Sequence, residues 1–350
     1  MTAEGVVAKD AARYPRGLCR AILRGVAEQF KEDSLVKDGC FGLQVPDDDA
    51  SVERELRGPA QGFTGQFKDD LTGQVLNDKL VHQARAVELA FFCSNGVWAK
   101  KPRGLARERT GKSPISVRWV DVNKGDDFNP NYRSRLVARE LKALDKSGQS
   151  YFAPAPPLEA LRTVVSMATS SIGTHHPVWE PTSPVRQQIS FVGVKRAYFN
   201  AKLDENSRPV FVELPAEDPD HGHMCAQLLR HMYGTRGAAD GWQGEYSTTL
   251  ISLGFRQGES CPNVFSRKER DVCCSVHGDD FTSTSSKGNL DWFEQEIAKH
   301  YEVTISPRIG PGPQDAKEGR SLNRIIRWCD SCIEYEADPR QAESSLQSAD

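Results

Sequence analysis

The 350-residue chain has no uninterrupted apolar run of the ~18 residues that a membrane-spanning helix needs. Its start, from Met1 to Asp10, lacks the basic-then-apolar layout of an export signal, so an intracellular setting, cytoplasmic or nuclear, is expected. Nine cysteines are scattered and odd in number, and without an export signal they are expected to stay reduced. Charge of one sign is also missing. A net charge of −3 excludes a uniformly basic nucleic-acid binder. No internal repeat is visible, and 38% hydrophobic with 27% charged residues is ordinary globular content. The length allows more than one compact lobe.

The charge that is present is unevenly placed. Residues 97–142 hold 12 Lys/Arg against 5 Asp/Glu, a local net of +7, whereas residues 31–70 hold 10 acids against 5 bases. A local basic stripe suits a polynucleotide backbone. A second local feature is chemical. Two β-prone runs, Val272–His277 and Phe281–Thr284, flank Gly278, Asp279 and Asp280, which reads as a hairpin with adjacent carboxylates at its turn. Adjacent acids repel, and a divalent cation is one reason to keep them together.

Periodicity sets out the rest. Leu18, Ile22, Val26 and Phe30 share a helical face. Residues 44–74, acidic and rich in Gly and Gln, read as linker. Leu80, Ala84, Val87 and Phe91 predict a helix with Asn77 or Asp78 as cap. Residues 114–139 predict a hairpin turning at Gly125–Asn131. Helices are further predicted from Leu158, Leu161 and Val165, from Trp242, Tyr246, Leu250 and Leu253, and from Leu290, Phe293, Ile297 and Tyr301. Strands are predicted at Ile189–Val194 and Val210–Val212, and the Pro-rich stretch 173–188, with His175 and His176, predicts a loop. The order is α+β.

Several blocks in sequence order resemble the reverse transcriptase of copia-type retrotransposons. Leu228 to Trp242, with Tyr233-Gly234 and Gly237-Ala238 inside it, resembles the family's Leu-Tyr-Gly-Leu-Lys-Gln-Ala-Pro-Arg-Ala-Trp. Leu253-Gly254-Phe255 and Cys261 to Phe265 follow as that family's Leu-Gly-Phe and Asp-x-x-x-Phe do. Val194 to Asn200 resembles Asp-Val-Lys-Asn-Ala-Phe, and Arg118-Trp119-Val120 and Tyr132 to Arg139 resemble its Lys-Trp-Val and Tyr-Lys-Ala-Arg-Leu-Val-Ala blocks. His277 to Asp280 stands where the family carries aromatic-x-Asp-Asp. The resemblance implies a fragment of a Pol polyprotein. Residues 1–77 would be a partly disordered leader or linker, 78–340 the polymerase domain and 341–350 a tail. Its fingers, with a basic β-hairpin, would span about 97–170 and its palm, an antiparallel sheet backed by helices, about 185–305.

The implied chemistry is template-directed addition of deoxynucleotides with two Mg2+ ions, or Mn2+, and with an RNA or DNA template–primer and deoxynucleoside triphosphates as partners. Asp279 and Asp280 map onto two metal-binding acids. The third falls on Gly193, which has no side-chain oxygen, and the nearest acid downstream is Asp204. Tyr198 maps onto an aromatic beneath the incoming sugar. Arg133, Arg135 and Arg139 share a strand parity and suit phosphate oxygens. Arg236 matches a family lysine, and Gly237 replaces a glutamine near the nucleotide. Impaired activity is therefore expected, with a non-catalytic nucleic-acid-binding remnant as the rival reading and an unfolded pseudogene product as a third. His221-Gly222-His223 and Cys329-Asp330-Ser331-Cys332 each lack a second ligand pair, so neither is assigned a metal or redox role.

Overall fold

The computed structural model describes residues 65–126, 128–140, 155–169, 187–204, 206–322, 324–329 and 332–336. The expected helix over 18–30, His175, His176, the proline-rich stretch 177–184 and the tail 341–350 lie outside them. The described elements run α1 (Asp78–Ser94), β1 (Trp98–Pro102), α2 (Arg103–Thr110), β2 (Val117–Asn123), β3 (Tyr132–Ala138), α3 (Leu158–Met167), β4 (Gln187–Val194), β5 (Phe211–Glu213) and β6 (Met224–Leu228). They continue with α4 (Ala238–Ser252), β7 (Arg256–Gln257), β8 (Val264–Arg267), β9 (Val272–His277), β10 (Asp280–Ser286), α5 (Lys287–His300), β11 (Val303–Ile305), β12 (Glu318–Ser321), β13 (Arg324–Trp328) and β14 (Ile333–Tyr335). Helices are mixed with antiparallel sheets, as the α+β expectation requires. Among the described residues no helix is long and apolar enough to cross a membrane.

The chain forms two compact units, one from 1–146 with 203–236 and the other from 147–202 with 237–350. In the first, β2 and β3 make the expected hairpin, with Trp119 opposite Leu136. Its turn is closed by Asn123, whose Oδ1 accepts from the amides of Gly125 and Asn131. Ile115 is not part of this hairpin; it bridges Val212 instead. α1 starts where the Asn77 side chain accepts the Leu80 amide at 3.3 Å, and it buries Val81, Leu89 and Phe92. Its Arg85 reaches Asp121 at 2.5 Å and Glu217 at 2.7 Å, while Asp121 also accepts from Ser134 Oγ at 2.6 Å. Burial alone would raise the Glu217 pKa, but hydrogen bonds from Trp119 and Arg85 hold it below the usual range.

The linker reading of 44–74 is corrected where the structure describes it. Phe67 is buried, Asp69 accepts the Asn123 amide and Asp70 the Asp121 amide. These acids satisfy backbone donors of the hairpin, a use that composition does not reveal. The expected division into residues 97–170 and 185–305 also differs from the units. β5 and β6 join the hairpin's unit because β6 pairs with β1. α3 joins the other unit because Leu161 and Val165 pack with Ile189 and Phe191 of β4.

The second unit is organised on a six-stranded antiparallel sheet in the order β11-β4-β10-β9-β8-β7. Strand alternation divides its side chains between two faces. Val192, Val194, Cys274, Val276 and Phe281 pack with Trp242, Tyr246 and Leu250 of α4 and Phe293 and Ile297 of α5. On the opposite face, Ile189 and Phe191 pack with α3, Ile309 and Ile326 of the three-stranded sheet β12-β13-β14.

Candidate active site

Adjacent carboxylates need a rigid, tight turn to stay together, and the β9–β10 loop supplies one. His277 pairs directly with Asp280, leaving Gly278 and Asp279 as a two-residue turn. Gly278 takes φ +60° while Asp279 is not among the positive-φ residues, the pattern of a turn that wants glycine first. Two hydrogen bonds pin this loop. The buried indole Nε1 of Trp242 donates to the Gly278 carbonyl at 2.8 Å, and the Val194 amide donates to the Asp279 carbonyl at 2.8 Å.

Gly193 lies near the end of β4, beside the hairpin strand β10. It pairs with Asp280 across β4–β10 and with Thr304 across β4–β11. A Cβ at Gly193 would meet Asp280 Oδ1 at 3.4 Å and the Thr304 carbonyl oxygen at 4.0 Å, ordinary contacts that leave room for a side chain. Cross-strand register places Asp280, His277 and Gly193 on one face, opposite the one that α4 and α5 cover.

Electrostatics mark Asp280 apart. The residue retains exposed surface at the tip, yet the surrounding protein displaces enough water to raise its carboxyl from the usual 3.8 to about 6, with the charge of Asp279 adding to the effect. Beside it is a crevice of about 10 Å³, lined in part by Pro156, Leu158, His277 and Thr282, on the order of one water's space. His277 Nδ1 has no hydrogen-bond partner among the described residues. At the paired position of the neighbouring strand, Gly193 offers no side-chain oxygen.

Tyr198, in the 3-10 turn Ala197–Asn200, is half-buried against the core beneath the sheet. Arg133, Arg135 and Arg139 are exposed while Ser134, Leu136 and Ala138 are buried, the alternation expected of one face. Arg135 lies over the Tyr233 ring at 4.9 Å. Arg236 is half-buried, with its amide donating to Glu140 Oε2 at 2.8 Å. These four arginines belong to the first unit, whereas Gly193, Tyr198, Asp279 and Asp280 belong to the second. Gly237 is the N-cap of α4 and offers no side chain to it. His221 Nδ1 is 2.6 Å from the Leu214 carbonyl oxygen, and the histidine pair joins no ligand group among the described residues.

The hydrogen bond from Trp242 to the Gly278 carbonyl has no signal in the sequence. The helical spacing of Trp242 with Tyr246 and Leu250 reads as core, which it is, and nothing in that spacing says where the indole N–H points. The family model described as reverse transcriptase (RNA-dependent DNA polymerase) matches residues 103–308, a span that holds Gly193 and the acid pair. No curated protein matches the chain.

Proposed function

The chain belongs to the reverse transcriptase (RNA-dependent DNA polymerase) family, and on that basis we propose that it is a copia-type retrotransposon polymerase domain whose metal site has lost one carboxylate, leaving DNA synthesis impaired. The observation that carries this reading is the pairing of Gly193 with Asp280, which sets a residue without a carboxylate side chain beside the acid pair. On this reading the six-stranded sheet with α4 and α5 is the palm, and the β2–β3 hairpin belongs to the fingers.

Asp279 and Asp280 fit a hard divalent cation, Mg2+ or Mn2+. Both offer carboxylate oxygens, and the upward shift of Asp280 comes first from burial and second from the charge of Asp279, a repulsion that a cation would relieve. Bound there, the metal would acidify the primer hydroxyl and neutralise the triphosphate. Within the second unit the protein's own part is to hold the two carboxylates at the Trp242-pinned turn, with Tyr198 assigned to the incoming sugar by the resemblance; within the first unit the exposed Arg133, Arg135 and Arg139 suit phosphate oxygens, and Arg236 is assigned to them by the resemblance alone.

Primer extension on an RNA template, in Mg2+ and in Mn2+, tests the reading. Loss of one member of a catalytic unit costs about 10³-fold or more, so the parent should extend at or near background. Gly193→Asp should gain measurable extension, and adding Asp280→Asn should abolish the gain. Parent activity that survives Asp280→Asn would reject the site. A second reading, a nucleic-acid-binding remnant without catalysis, draws on the exposed hairpin guanidiniums, which need no metal. It predicts duplex binding by every variant and extension by none.

A further inference from the structure

The end of the β13–β14 hairpin gathers three donors that sequence spacing alone does not assemble. The Cys329 amide donates to the Cys332 carbonyl at 2.9 Å, just beyond the Trp328–Ile333 pair. Cys332 and Glu334 are two residues apart in an extended segment and so project to the same face. The two sulfurs and a Glu334 carboxylate oxygen all lie within 4.8 Å of one another, and no other three His, Cys, Asp or Glu residues do so among the described residues. We propose that Cys329, Cys332 and Glu334 form a binding site for a thiophilic divalent cation of the Zn2+ type.

Thiolate and carboxylate donors at about 2.3 Å and 2.0–2.2 Å from a tetrahedral zinc stand somewhat under 4 Å apart, so the observed grouping needs only a small contraction. The neighbouring cation is held more closely by other carboxylates. Arg327 is taken up by Glu318 at 2.9 Å and Glu336 at 2.8 Å, while Glu334 stands off at 3.9 Å. Both thiols are free, and once ionised they would set two negative charges beside the carboxylate, a repulsion that a cation removes. Three protein donors leave a fourth position for water. The sequence lacks a second Cys-x-x-Cys; the strand that follows the first supplies the missing donor as Glu334. A bound cation would clamp the end of a sheet whose Ile326, Ile333 and Tyr335 pack against the core shared with β4.

The test uses the full chain, reduced with a phosphine, stripped with a chelator and titrated with Co2+ as an optical probe. The expected result is a sulfur-to-cobalt charge-transfer band that saturates at one equivalent and is quenched by Zn2+. Cys332→Ser should remove the band, and because Cys332 is exposed the variant should keep the parent's melting temperature in chelator. Glu334→Gln should weaken cobalt binding by more than the roughly 10–100-fold that loss of an outer-shell partner costs. No band in the parent, or a full band in Cys332→Ser, overturns the site. So does a chain that binds no cobalt when reduced and loses two mass units on air oxidation, the outcome of a Cys329–Cys332 disulfide. None of these readouts depends on polymerase activity.

Discussion

Asp280 is the residue through which the site answers to pH. Its folded-state pKa, about 6, exceeds the ordinary 3.8, so the fold binds this proton more tightly than the unfolded chain does. The stability that follows is fully present below the unfolded value and is lost as pH rises through the folded one. Asp280→Asn should therefore flatten the decline in melting temperature between pH 4 and 7, and Mg2+ should raise the melting temperature of the parent at pH 7.5 more than at pH 5. Calorimetric scans at the two pH values check both. Gly193→Asp should sharpen the same behaviour. Three carboxylates would then crowd one site, lowering the melting temperature in chelator and widening the gain on adding Mg2+. The position of Gly193 was legible in the sequence, because Val194 to Asn200 kept the block's register. The shift at Asp280 was not, since it depends on how much water the folded neighbours exclude.

At the scale of elements, the β9–β10 turn is held from behind by α4. Trp242→Phe keeps an aromatic ring but leaves the Gly278 carbonyl without its donor, at a cost of about 1–3 kcal/mol. Amide exchange at Gly278–Asp280 should accelerate in this variant while that of α5 stays slow, as hydrogen-exchange mass spectrometry can resolve. The α1–hairpin contact makes a harsher demand. Asp121→Ala would strand Arg85 with Glu217 as its remaining carboxylate, and removing one partner of a buried pair costs about 3–5 kcal/mol, measurable by urea denaturation. Periodicity located α1, α3, α4 and α5, and β-prone runs on either side of a turn located the two hairpins, although β9 and β10 are buried on both faces. It failed at 65–74, where Asp69 and Asp70 cap backbone amides of β2. Acids engaged in that way look the same in a sequence as acids facing water.

For the whole molecule, the exposed row Arg133, Arg135 and Arg139 predicts how binding answers to salt. If Arg135 and Arg139 each neutralise one phosphate, reversing both charges should reduce the slope of log affinity against log salt by roughly two, about 0.9 for each phosphate no longer neutralised. Fluorescence anisotropy with a primer–template duplex at several salt concentrations measures this, and an unchanged slope removes the hairpin from the interface. The two units also impose an order on synthesis. Neither is a contiguous stretch of chain: residues 147–202 leave the first unit before 203–236 return to complete it. During translation β4 is made long before β10, the strand whose acid faces Gly193, and both its edges remain unpaired until β10 and β11 emerge. Unpaired edges are sticky. A ribosome stalled after Arg236 would hold every residue of the first unit together with a naked strand of the second, so no single cut separates the two units cleanly.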